Sequence, residues 1–156
     1  MNIFVLDTNP ISAAQQQCHK HIVKMPLETA QMLCTAVHLR TTALDIPYKA
    51  AYRNHPCTVW ARENGSNFEW LIDHGIELCA EYTRRYGREH KCQNVIAYCA
   101  DYISRMPSGQ RTAHPLCMPD KYKVAGDPVT SYRNYYLGDK KRFAKWRTGQ
   151  IPAWWS

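Results

Sequence analysis

The sequence predicts an all-α fold in a single compact domain, with three to four main helices behind a short extended N-terminal segment. Three observations predict it. Apolar residues recur at the three- and four-residue spacings of a helix over long stretches. Alternating strand–helix units are missing. The 156 residues suffice for one real core, and no repeat, low-complexity tract or interdomain linker divides them, so residues 1–156 are read as one domain.

Met1 to Leu6 is short and apolar, partly β-branched, and reads as the extended lead-in. Asn9-Pro10 then starts a helix, with proline in the first turn, where its missing N–H costs nothing. The periodicity continues to about Leu39 and places Ile11, Ala14, Cys18, Ile22, Met25, Leu33 and Ala36 on a core stripe. Pro26 removes a backbone bond and clashes with the carbonyl four residues back, so a kink or break is expected there, leaving Glu28 to begin a second helical piece. Residues 40–57 are irregular, punctuated by Pro47 and Pro56. A second helix is expected from about Thr58 to Tyr86, with Gly65-Ser66 as a point of interruption and Gly87 as its stop. A third spans roughly Lys91 to Arg105, with Val95, Ile96, Cys99 and Ile103 inward. After a proline-rich loop, a shorter helix covers about Pro128 to Leu137, followed by a basic–aromatic segment and the tail Ile151-Pro152-Ala153-Trp154-Trp155.

Charge and composition narrow the partners. Lys and Arg total 20 against 13 Asp and Glu, a formal charge of +7, interleaved with 5 Trp, 10 Tyr and 3 Phe. Such a surface favours polyanions and offers stacking platforms for bases. The 7 cysteines form no CxxC pair and read as free thiols of a reducing cytoplasm. No signal peptide is visible, and no apolar run approaches the 18 or so residues that span a bilayer. No P-loop, dinucleotide fingerprint or GxSxG elbow occurs, which removes several common enzyme classes. Metal ligation is not expected, because no Cys/His spacing suits zinc and two helical histidines at 19 and 21 point apart.

Within the first helix, His21, Lys24 and Glu28 share one face, with Gln17 a turn upstream. An imidazole, an amine and a carboxylate so aligned can do acid–base or electrophilic chemistry. The plainer reading is a solvated face whose Lys24–Glu28 pair adds roughly 0.2–0.5 kcal/mol to the helix. Tyr52-Arg53-Asn54-His55-Pro56-Cys57 gathers polar, cationic and aromatic groups in a loop, either as binding residues or as a turn whose Asn54 and His55 satisfy backbone groups. In Lys140–Arg147 an aromatic interrupts the charges, which makes Lys141, Arg142 and Lys145 candidate phosphate contacts, the plainer reading being a solvated tail. Leu6-Asp7-Thr8-Asn9 is similar to the opening acidic motif of PIN-domain nucleases, yet also reads as a helix cap.

Four segments line up in order with one family. His21 lies seven residues before Glu28 with Pro26 between them. Tyr52-Arg53-Asn54-His55-Pro56 follows, then Ile76–Arg85, then Ser131-Tyr132-Arg133-Asn134-Tyr135-Tyr136-Leu137-Gly138. In these the chain resembles the pyrimidine-dimer DNA glycosylase/AP lyase family of bacteriophages and bacterial relatives. The resemblance implies a small all-α enzyme that bends DNA, flips out a nucleotide and removes a damaged or modified pyrimidine. In the family a chain-terminal α-amine attacks the sugar C1′ to form an imine, and a helix glutamate assists base loss and strand cleavage. Mapped by motif, Glu28 takes the glutamate role and His21 the histidine role. Asn2 is bulky, so Met1 is expected to stay and to supply the amine. α-Amines titrate close enough to neutrality to be partly unprotonated.

The family's arginine before the glutamate is Leu27 here, and the arginine beside its N-terminal residue has no counterpart at Ile3. The base recognised therefore stays open, as does a monofunctional enzyme using water. Lys24, Arg53, Asn54 and His55, with Lys141, Arg142 and Lys145, are the expected contacts to double-stranded DNA. The expected enzyme is a monomer with no cofactor, no metal and no membrane partner. The alternatives are a non-catalytic nucleic-acid-binding protein on the same scaffold and a metal-dependent nuclease centred on Asp7.

Overall fold

Among the described residues six α-helices follow one another: α1 (Pro10–Gln15), α2 (His19–Arg40), α3 (Pro56–Ala61), α4 (Gly65–Tyr86), α5 (Gln93–Ala100) and α6 (Pro128–Tyr135). Turns of 3-10 helix lie at Ile103–Arg105 and Asp120–Tyr122, and a π-helical turn at Tyr136–Lys140. The computed structural model describes residues 1–148 and 150–156, and no strand occurs among them. The fold is all-α, as the periodicity predicts. Two helices of 22 residues, α2 and α4, form its body.

The first two predicted helices are each divided. Asn9 starts α1, its Oδ1 accepting the N–H groups of Ile11 and Ser12 at 2.9 and 3.0 Å. The helix stops after six residues because Gln17 turns inward and its Nε2 donates to the Ile3 carbonyl at 3.1 Å. Gln17 therefore belongs to a buried junction, not to the face of His21. The change of phase also leaves Ile11 47% exposed, outside the core stripe it was assigned to, while Ile22, Met25, Leu33 and Ala36 are buried. Between α3 and α4, Asn64 resets the chain: its Oδ1 accepts the N–H of Asn67 at 2.9 Å and caps α4. α4 ends at Gly87, whose φ of +68° is the left-handed conformation that glycine adopts freely. α5 ends at Ala100, short of the expected Arg105.

Pro26 does not break α2. Glu28 sits inside one continuous helix rather than at the start of a second. A mid-helix proline costs about 3 kcal/mol. α2 is flanked by α3, α4 and α5, and burial of Pro26 and its neighbours offsets that cost. α4 is the hub, packing against α1, α2, α3 and α5. At its crossing with α2 stands Gly75, where a Cβ would lie 2.7 Å from Thr29 Cγ2 and 3.1 Å from Ile96 Cδ1. The absent methyl lets α4 press close to the residue that follows Glu28.

The two chain ends close the structure. Asn2 to Leu6 is buried, and Phe4 holds a φ of +60°, a strained conformation for a bulky residue. The lead-in is therefore a bent buried segment, not a straight extended one. At the other end Tyr136 is fully buried beneath Trp146 and Trp154, and Trp154 Nε1 donates to Gln16 Oε1 at 2.5 Å. No helix among the described residues is long and apolar enough to cross a membrane.

Candidate active site

Helical spacing aligns His21, Lys24 and Glu28, and the bent lead-in delivers the N-terminus to that face. Glu28 Oε2 accepts the N–H of Asn2 at 2.9 Å and lies 3.5 Å from the α-amine of Met1. Its Oε1 lies 3.4 Å from Lys24 Nζ. One buried carboxylate is thus fixed by a backbone donor and flanked by two cationic groups. These residues border a cavity of about 320 Å3, closed on its other sides by Phe4, Lys20, Met25, Tyr135, Lys140 and Phe143. That volume is at the lower end of small-molecule sites, roughly 300–1,000 Å3.

His21 forms a second wall. Phe4 stacks on its ring with centroids 4.1 Å apart, and its Nδ1 meets the hydroxyl of Tyr136 at 2.5 Å. Nε2 has no hydrogen-bonding partner among the described residues. Burial lowers the imidazole to a pKa of about 3, helped by the charges of Lys140, Lys24 and Lys20. His21 is therefore neutral near pH 7 and serves as a hydrogen-bonding group, not a cationic acid. The cavity remains electropositive, since Lys20, Lys24, Lys140 and the amine outnumber one carboxylate. Lys140 Nζ sits 4.3 Å from the ring centroid of Tyr135 and 5.7 Å from that of Phe4, and Lys20 Nζ sits 4.7 Å from that of Phe143.

The remaining candidates spread out. His55 N-caps α3, with Nδ1 accepting the N–H of Cys57 at 3.1 Å. It is near enough to the site for burial and then the N-terminal charge to lower its pKa, with Glu28 opposing. Arg53 and Asn54 are exposed on the turn before α3 and do not line the cavity. Lys141, Arg142 and Lys145 are exposed and also miss it, although Arg142 borders a neighbouring hollow with Tyr135 and Lys140. Asp7 serves the start of α1: its oxygens accept from Asn9 N–H and Ser12 Oγ, and Arg133 lies 3.8 Å away. Among the described residues its neighbours are donors and a cation and no metal-ligand cluster includes it, so the nuclease reading centred on it finds no support.

Residues 1–94 match the pyrimidine dimer DNA glycosylase family. The chain belongs to that family. It is accordingly a member of a DNA-repair enzyme family whose substrate is DNA. No curated protein and no solved structure matches it. The matched segment of this glycosylase-family chain contains Met1, His21, Lys24 and Glu28. Tyr135, Lys140 and Phe143 lie beyond it, yet they line the same cavity.

Phe4, Lys20 and Lys140 were not singled out from the sequence. Lys20 sits one position from His21, about 100° away around the helix, so helical spacing does not group the two. Lys140 belonged to the basic run that was recognised, but the π-helical turn rotates it inward and turns Lys141 and Arg142 out. Phe4 carried no sequence signal.

Proposed function

We propose that the protein is a DNA glycosylase with AP-lyase activity, using the Met1 α-amine as nucleophile and Glu28 as its carboxylate partner. The observation that carries this reading is the amine 3.5 Å from a buried carboxylate on the floor of an electropositive cavity. The unprotonated amine attacks C1′ of a flipped nucleotide. The glycosidic electron pair leaves with the base, which takes a proton from water, and the C1′–O4′ bond then opens, O4′ taking a proton from Glu28, to give the protonated imine. Glu28 accepts the proton released from the amine and steadies positive charge on the sugar while the base departs. Lys20, Lys24 and Lys140 bind flanking phosphates, and Phe4, Tyr135 and Phe143 supply faces for an unstacked base. Arg53, Asn54, Lys141, Arg142 and Lys145 lie outside the cavity and contact backbone phosphates. Neutral His21, anchored by Tyr136, presents Nε2 to the sugar.

Incubation with duplexes carrying pyrimidine dimers or modified pyrimidines, with borohydride present, tests this. A trapped covalent adduct is expected, and reductive methylation confined to the N-terminus should abolish it. An adduct that survives the blocked amine would move the nucleophile elsewhere. Base release without any adduct would leave a water-using glycosylase, and DNA binding with no base release a non-catalytic scaffold.

A further inference from the structure

Behind the N-terminus, three potential metal ligands converge from two distant parts of the chain. A ring nitrogen of His55 and the Sγ atoms of Cys57 and Cys117 all lie within 4.8 Å of one another. The two sulfurs are 3.6 Å apart. Two thiolates held at about 2.3 Å by a tetrahedral zinc ion stand about 3.8 Å apart, so the two sulfurs already hold nearly the spacing of a bound pair, and the imidazole has to close in on them. The imidazole is prepared as well. Nδ1 accepts the N–H of Cys57, so it carries a lone pair and the proton resides on Nε2, the tautomer that ligation through Nδ1 requires.

We propose that His55, Cys57 and Cys117 bind a soft divalent cation, zinc, with the fourth position left to solvent. Binding exchanges the Cys57 N–H···Nδ1 bond for an Nδ1–metal bond and releases two thiol protons to water. The ion clamps the loop bearing Cys117 onto the start of α3. That loop supports the active site directly: the Cys117 carbonyl accepts from Asn2 Nδ2 at 2.8 Å, and the N–H of Asn2 holds Glu28. A second thiol pair, Cys34 and Cys99, has sulfurs 3.7 Å apart but belongs to no such cluster, and serves as the internal control. Sequence spacing hides the site, because Cys117 lies 60 positions from Cys57. The inference does not depend on the glycosylase chemistry.

The test is titration of the reduced full-length protein with Co2+ and Zn2+, followed by thiolate-to-cobalt absorption and by native mass spectrometry. One ion per chain is expected, with a cobalt–thiolate band and a higher melting temperature when zinc is added. Cys117→Ser and His55→Ala should each weaken zinc binding by at least the roughly 10–100-fold that loss of an outer-shell partner alone causes. Cys34→Ser should leave both band and stoichiometry unchanged. Absence of a cobalt–thiolate band in the wild-type protein overturns the proposal. So does a band that persists in Cys117→Ser but vanishes in Cys34→Ser. Formation of a Cys57–Cys117 disulfide under mild peroxide in a protein that takes up no zinc would overturn it in favour of a redox pair.

Discussion

Glu28 and Glu81 look alike and are not. Each sits inside a helix of 22 residues, α2 and α4, and they are 9% and 8% exposed. Glu81 gives both oxygens to guanidinium groups: Oε2 is 2.6 Å from Arg84 and Oε1 is 2.7 Å from Arg85. Arg85, its side chain 2% exposed, continues to the carbonyls of Gln15 and Gln17 and so ties α4 to the junction between α1 and α2. Glu28 instead meets an α-amine, a backbone N–H and the ammonium of Lys24, whose side chain is 67% exposed. Only Glu28 borders the cavity with Met1 and His21. A buried carboxylate beside a cation does not identify a reactive site. An open hollow and a partner with nucleophilic chemistry of its own do.

Substitution of each glutamate separates the two roles. Glu28→Gln should lower the rate of base release by about 10²–10⁴-fold, the usual contribution of a positioned acid–base group, and leave the melting temperature nearly unchanged. A large loss of stability with normal activity per folded molecule would reverse the assignment. Glu81→Gln should do the opposite. It leaves the charge of Arg85 buried and uncompensated, at a cost of about 3 kcal/mol in denaturant unfolding, with base release close to wild type.

pH also distinguishes the regions. Burial lowers His21 and His114 to about 3 and His74 to about 4, against about 6.5 in the unfolded chain. The unfolded state therefore binds protons that the folded state refuses. Stability is complete above about pH 6.5 and is lost as pH falls toward 4, by up to about 1.4 kcal/mol per pH unit for each histidine. Denaturant midpoints measured between pH 7 and pH 4 should show this slope, and His74→Gln should flatten it by one histidine's share. A flat profile would mean that these rings become protonated in place. The smallest expected change is Lys140→Ala. DNA binding should weaken for all sequences, and the slope of log affinity against log salt should fall by about one. An unchanged slope would remove Lys140 from the phosphate contacts.

Legibility differed from one element to the next. Gly87 as the stop of α4 and the buried stripe from Ile22 to Ala36 follow from local chemistry, because a left-handed cap and a helical repeat act over a few residues. The junction at Gln16–Cys18 was not legible, since the partners of Gln17 are the Ile3 carbonyl and His74, far away in sequence. Pro26 misled for the same reason: a proline's local cost is real, and only the surrounding helices show that it is outweighed.

By itself the sequence determined an all-α chain, its basic and aromatic character, and the shared face of His21, Lys24 and Glu28, because helical period and charge are local properties. Tertiary structure alone decided that the Met1 amine meets Glu28, that Lys140 and Phe143 from the far end of the chain wall the same cavity, and that Glu81 is structural. Those outcomes depend on which segments pack together, and packing is set by burial summed over the whole core.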